Sequence, residues 1–330
     1  MMNGEINPGN EIKIEMPPVS VFDVKPKQKK FPFDTIFTFV VRSSGLIIFL
    51  LTALVFVFIA VESFKVFGYL SPLDLIYSDR NGENIFEWYP TSNDPRFSLI
   101  PLLLGTFLTA IPATIISSFF GIGIGIFISE FAPRRIRNYL KQLIDLFASL
   151  PTVAVGFILL TVGVTFFDSV FDADNRLNAV LAAFGLSLII IPQIASLTEE
   201  ALRGIPDDIR MAAFSLGAGR WRTVKDIVFP AAISGISASV VLGFGRAVGD
   251  TMIVLMISGN AANLTLNPFS SVRTMTATIA AELGEVSTQT AHYHALFFIG
   301  LVLFILSILV NLIVKFLVQR IGFRNNGAGL

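Results

Sequence analysis

Cysteine is absent from this 330-residue chain, and histidine and tryptophan each occur only twice. Without cysteine there is no disulfide, no thiolate metal site and no cysteine nucleophile, and the absence says nothing about compartment. Charge is also scarce. Charged residues make up 15% of the chain, against about 25% in soluble domains. The 24 Lys and Arg balance the 24 Asp and Glu, so no global basic field points to nucleic acid. No Gly-rich loop ending in Lys-Ser/Thr is present, so the chain is not expected to hydrolyse ATP itself. No His/Asp/Glu cluster has catalytic or metal-ligand spacing, which makes a membrane enzyme the weakest reading and leaves no metal site to assign. His292 and His294 flank Tyr293, but with no third ligand evident an interfacial belt is the better reading.

Apolar residues are abundant: 53% hydrophobic, 32 Phe and a mean hydropathy of +0.72. That composition belongs to an all-α polytopic membrane protein. A spanning helix needs about 20 mostly apolar residues, and six segments qualify: Ser43–Val61, Leu99–Ile128, Leu146–Phe166, Leu177–Leu197, Ala231–Ser258 and Ala295–Val314. The second is interrupted by Pro101 and Pro112, the third has Pro151 near its start, and the fourth contains Pro192. The first follows a mostly polar stretch without a small-residue cleavage site, so it reads as a retained anchor.

Lys and Arg set the expected orientation, because short cytoplasmic loops retain them. With the N-terminus inside, the basic clusters Lys25–Lys30, Arg134–Lys141, Arg203–Lys225 and Lys315–Arg324 all fall on the cytoplasmic side. Only Lys65, Arg80, Arg96, Arg176 and Arg273 fall outside, so both termini are expected to be cytoplasmic. Residues 1–30 read as a cytoplasmic tail, 31–94 as the first span with its outer loop, 95–322 as the transmembrane domain proper, and 323–330 as a second tail. The acidic outer loop 167–176 reads as solvated rather than metal-binding. "TMTATIAAEL" in outer loop 259–294 predicts a short helix packed on the membrane face. "GIGIGIF" at 121–127 is no phosphate loop; it reads as a close helix–helix approach.

The inner loop 198–230 carries its own helix signals. Pro206 suits a first helical position, and Asp207 and Asp208 fall in the first turn, where the helix dipole favours anions. Ile209, Ala212, Ala213 and Leu216 recur at helical spacing, and Gly217 supplies a stop. A second short helix is predicted with Trp221, Val224 and Val228 on one side, before Pro230 begins the next span. On pattern alone this hairpin either rests on its own membrane or forms a knob for a groove on a soluble partner.

"MAAFSLGAGRWRTVKDIVFP" resembles the EAA motif of permease subunits in ATP-binding-cassette importers: Glu-Ala-Ala, three residues, Gly, nine residues, Ile, one residue, Leu-Pro. Here the matching positions are Met211, Ala212, Ala213, Gly217, Ile227 and Pro230, with Met211 for Glu and Phe229 for Leu. "LPTVAVGF", "GRAVGDTM", "VRTMTATIAAELGE" and "AHYHALFF", in order over residues 95–322, extend the resemblance to PstC-type phosphate importer permeases. The resemblance implies a MetI-like type I importer permease fold in a bacterial inner membrane. It implies a coupling loop that docks on an ATPase through Met211, Ala212, Ala213, Leu216, Gly217, Ala218, Arg220, Ile227 and Pro230. It also implies three partners: a PstB-like ATP-binding subunit that carries ATP and Mg, a PstA-like second permease, and a PstS-like external phosphate-binding protein.

Within the fifth span, "GFGRAVGDTM" places Arg246 and Asp250 where each costs about 2.5–3.5 kcal/mol to insert at a helix centre. Four residues apart, they are expected to share a helix face and to be able to pair. An ion pair locking two helices is one reading. An anion path is the other, with the Arg246 fork holding phosphate, Asp250 compensating when the path is empty and Thr251 as an added donor. The resembling family has an acid at this position, usually Glu. Permeases for sulfate, molybdate or another solute are the nearest alternative, with a stand-alone channel or secondary transporter further off.

Overall fold

The computed structural model describes residues 32–80, 83–171 and 175–326. The N-terminal tail, the aspartates of loop 172–174 and the last four residues of the C-terminal tail lie outside the described residues. The chain divides into two units, Met1–Val55 and Phe56–Leu330, the boundary falling inside the first helix. Among the described residues six helices are long and apolar enough to cross a membrane.

The first helix, α1 (Pro32–Phe64), is a long, almost continuously apolar run, as a span requires. Within the second unit its end is fixed to the last helix, where Ser63 Oγ donates to the Phe297 carbonyl at 2.8 Å. A 3₁₀ turn and two small hairpins follow, pairing β1 (Ser78–Arg80) with β2 (Glu83–Ile85) and β3 (Trp88–Tyr89) with β4 (Arg96–Phe97). The second span is α2 (Ile100–Ile126), prolonged by a wider π-type turn at Phe127–Phe131. It is not interrupted as expected: Pro101 sits in the first turn, where a missing N–H costs nothing, and the helix continues through Pro112.

Next comes α3 (Arg134–Ala148), an amphipathic helix with no fully buried residue. The third span therefore begins later than the hydropathy suggested, at α4 (Thr152–Ile158), and runs through a π-type turn into α5 (Val164–Phe171). Pro151 is the N-cap of α4, and its fixed φ separates the two helices.

The central span is α6 (Ala179–Arg203), begun by Asn178, whose side chain accepts from the Leu181 amide. Leu186, Ile190 and Ile194 are completely buried. The glycines of "GIGIGIF" explain part of this: a Cβ on Gly121 would lie 2.8 Å from Ile194, and one on Gly125 2.7 Å from Thr198. Close backbone approach of α2 to α6 needs glycine there, as expected, whereas Gly123 faces open space.

After α6 come α7 (Asp207–Ser215) and α8 (Arg220–Thr223). The expected second loop helix is not separate: α8 continues through the π-type turn Val224–Val228 into α9 (Phe229–Gly249), so Pro230 falls in the first turn of α9, inside one long span. Then α10 (Met252–Ile257) and α11 (Met275–Glu282) lead to α12 (Ala291–Asn326). The short helix α11 forms where it was expected and is packed into the protein. Met275, Ala277 and Thr278 are fully buried, and the Met275 amide donates to Thr106 of α2.

Candidate functional site

The fifth span breaks where the sequence suggested a continuous helix. α9 ends at Gly249, Asp250 is extended (φ −70°, ψ 131°), and α10 starts anew two residues on. The freed polar groups are recovered locally, as lipid depth demands. Asp250 Oδ1 accepts from the Ile253 amide at 3.0 Å, and the Asp250 carbonyl accepts from Thr276 Oγ1 of α11 at 3.0 Å. Arg246 and Asp250 keep the i,i+4 relation, since the Asp250 amide donates to the Arg246 carbonyl at 2.9 Å, but the expected side-chain pairing is corrected: the Asp250 carboxylate is turned to the start of α10, where it caps Ile253. Arg246 Nη1 instead donates to Gln193 Oε1 on α6 at 3.0 Å. Thr251 is half-buried at the break.

Arg246 lies on the border between two faces of α9. On one side Gly243 and Ala247 are buried, and a Cβ on Gly243 would reach Ile194 at 2.8 Å. On the other side Gly245 and Gly249 have no atom within 4 Å of a would-be Cβ, so that face is open along the whole last turn. The guanidinium thus has one neutral hydrogen-bond partner and a small-residue face beside it.

The loop 198–230 forms a knob. α7 ends in a Schellman turn, with Gly217 at φ +80°, its amide bonded to Phe214 and the Ala218 amide to Ala213. Met211, Phe214, Leu216 and Trp221 are exposed, Leu216 at 89%. Ala212, Gly217 and Arg220 are exposed, Ala213 is buried, and Ala218, Ile227 and Pro230 are half-buried. The motif positions therefore divide into an outward face and residues that set the turn.

An unexpected ion pair holds the knob to the second span. Arg210 Nη2 meets Glu130 Oε1 at 2.9 Å, with only 14% and 9% of these side chains exposed. Arg210 also donates to the carbonyls of Leu202 and Ile205. The Glu130 hydrogen bond outweighs the desolvation that opposes it and holds the Arg210 pKa above its ordinary value. Nearby, Lys141 of α3 pairs with Glu199 at 2.8 Å and Glu200 at 3.3 Å, fastening α3 to α6. Burial lowers the Lys141 pKa, but these carboxylates more than offset it, so the net direction is upward.

A second missed cluster lies at the other end of the spans. The Glu282 carboxylate accepts from Trp88 Nε1 at 2.9 Å, meets His292 Nε2 at 2.8 Å and pairs with Arg273 at 2.5 Å. His292 thus ties the start of α12 to Glu282 of α11, and among the described residues no group of three potential ligands is placed to hold a metal. Burial alone raises the Glu282 pKa; the hydrogen bonds from His292 and Trp88 and the Arg273 charge prevail and hold it below the usual 4.5. A depressed carboxylate stabilises the fold above its unfolded pKa and loses that contribution as pH falls through its folded value. Glu282→Gln should therefore melt lower than wild type at pH 7, with the gap closing below about pH 4.5. Thermal unfolding across pH checks this.

Residues 121–323 match the family described as binding-protein-dependent transport system inner membrane component. The chain belongs to that family. It is 31% identical over 284 residues to the probable ABC transporter permease protein YqgH of Bacillus subtilis, covering 85% of this chain and 89% of the relative. It is 29% identical over 310 residues to the phosphate transport system permease protein PstC of Pasteurella multocida, covering 87% and 92%. Among solved structures, a chain of the bacterial alginate ABC transporter in complex with its pentasaccharide-bound periplasmic protein superposes with a TM-score of 0.57 at 14% identity, over 87% of this chain and 98% of that one. The fold of this permease is thus the MetI-like importer fold, all-α, in a multi-pass inner-membrane protein.

Proposed function

We propose that this permease carries inorganic phosphate inward across a bacterial cytoplasmic membrane by alternating access, as one subunit of an ATP-driven importer. The observation that carries the reading is Arg246: a permanent cation at membrane depth, held by neutral Gln193 and bordered by the open Gly245–Gly249 face. Phosphate leaving water needs such a site, and a planar fork donates two parallel hydrogen bonds to its oxygens. Asp250 sits beside the path as a negative charge that limits how tightly the anion is held, a requirement of any conduit. Thr251 adds a hydroxyl at the same break.

In this reading the chain is not an enzyme. ATP and Mg bind to a separate ATPase that docks on the knob formed by α7 and α8. The exposed Met211, Leu216 and Trp221 are the apolar residues it covers, with Arg220 beside them. The knob faces the cytoplasm, as do both termini. A second permease packs alongside, and an external phosphate-binding protein delivers the anion to the opposite face. Binding ATP draws the docked knobs together and turns the spans outward; hydrolysis resets them by rigid-body motion.

The test is uptake by the reconstituted complex with radiolabelled phosphate, sulfate and molybdate side by side. ATP-dependent accumulation of phosphate alone supports the reading, and preferential accumulation of sulfate or molybdate overturns it. Leu216→Asp should weaken co-purification of the ATPase by about tenfold to a hundredfold, since it places a charge where an apolar side chain is to be buried. Unchanged co-purification would remove Leu216 from the docking face.

A further inference from the structure

A cavity of about 500 Å³ opens beside the Glu130–Arg210 pair. The start of α3 contributes Arg134 and Arg137, the end of α6 contributes Arg203, and the knob contributes Arg210 and Arg220. These five arginines face two carboxylates, Glu130 and Asp207, and both carboxylates already hold Arg210, at 2.9 and 3.2 Å. The other arginines are far from saturated. Arg137 uses Nε and Nη2 on the carbonyls of Ile128 and Ser129, leaving Nη1, and Arg203 gives Nη1 to Glu199. Among the described residues the Arg134 side chain makes no hydrogen bond or ion pair, and the Arg220 guanidinium meets only the Phe131 ring, 5.9 Å from its centroid. Ser129, Asn138 and Thr223 line the same space with neutral polar groups.

We propose that this cavity is an anion site, separate from Arg246, that takes a phosphoryl group. A guanidinium fork matches phosphoryl oxygens in bidentate geometry, and several forks around one cavity match an anion with three or four oxygens. The volume exceeds what inorganic phosphate needs and falls in the range of small-molecule sites, so a phosphomonoester or a lipid headgroup also fits. An anion bound here competes with Glu130 for Arg210, the residue that ties the knob to the second span. Occupancy therefore loosens the knob, and this consequence rests on the docking reading above, whereas binding itself does not.

The experiment measures equilibrium binding of radiolabelled inorganic phosphate to the purified full-length chain in nanodiscs, for wild type, Arg134→Glu, Arg134→Lys and Arg246→Gln. Arg134 is exposed, so its replacement does not threaten folding. The proposal predicts binding weakened about tenfold or more in Arg134→Glu, the loss of one charge-assisted contact, and largely restored in Arg134→Lys. Arg246→Gln removes the cation of the proposed path, so the proposal predicts that this variant still binds phosphate at the cavity and loses that remaining binding when Arg134→Glu is added. Nanodiscs with and without phosphatidylglycerol distinguish the sources: competition by the lipid assigns the site to a headgroup, and no competition assigns it to soluble phosphate. Either result supports the phosphoryl site. Binding that is unchanged in Arg134→Glu, or that Arg246→Gln abolishes, overturns it, as does no binding at millimolar phosphate. Because uptake is not measured, a permease that proved to carry sulfate would leave this test intact.

Discussion

Arg246→Gln should lower phosphate uptake by about a hundredfold while the complex still assembles. Glutamine stays polar but is two bonds shorter, so it gives up the bond to Gln193 together with the charge, while the buried Gly243 and Ala247 face keeps α9 packed against α6. The permanent charge and the second donor of the fork are lost. Charge-assisted hydrogen bonds contribute about 1.5–3 kcal/mol each, and about 3 kcal/mol corresponds to a hundredfold in rate. Arg246→Lys keeps the charge without the fork and should fall between, at about tenfold. Asp250→Asn serves as the companion: asparagine still accepts from the Ile253 amide, so any change in uptake reports the charge and not the cap. The measurement is initial-rate uptake at matched complex content. Normal uptake by Arg246→Gln in an assembled complex would place the guanidinium outside the anion path.

Hydropathy made the spans legible because lipid depth demands long apolar runs, and "GIGIGIF" announced a close helix contact because only glycine permits it. The knob was legible through spacing: Gly217 in the motif is the residue that takes φ +80° and closes α7. The break at Asp250 was not. An apolar run containing one Asp reads as a helix until Thr276, 26 residues on, is seen to hold the Asp250 carbonyl. The same holds for Glu282, whose partner Trp88 lies 194 residues away in sequence. Helix α3 misled for another reason: Leu146 and Phe147 read as the start of a span, yet they are exposed side chains of an amphipathic helix that Lys141 and Asp145 fasten to α6. Residue type predicts burial in lipid well, whereas breaks, caps and ion pairs depend on which distant segment arrives.

Glu130→Ala should free the knob without unfolding the spans. The pair it breaks is partly buried, and its loss leaves Arg210 with only the exposed Asp207, at a cost below the roughly 3–5 kcal/mol of a fully buried pair. That cost falls on α7, since Arg210 is the residue whose bonds to Glu130, Leu202 and Ile205 fix α7 to the spans. Hydrogen exchange of the α7 amides should accelerate by up to about a hundredfold, with exchange in α6 unchanged. ATP-driven uptake should fall with it, because a loose knob cannot transmit the motion of a docked ATPase. Replacing both members by apolar residues of similar length, Glu130→Leu with Arg210→Met, should restore much of the protection, since no unpaired charge is then left buried. Restored protection without restored uptake would assign the pair a role beyond anchoring, and unchanged α7 exchange in Glu130→Ala would show that the knob is held by other contacts.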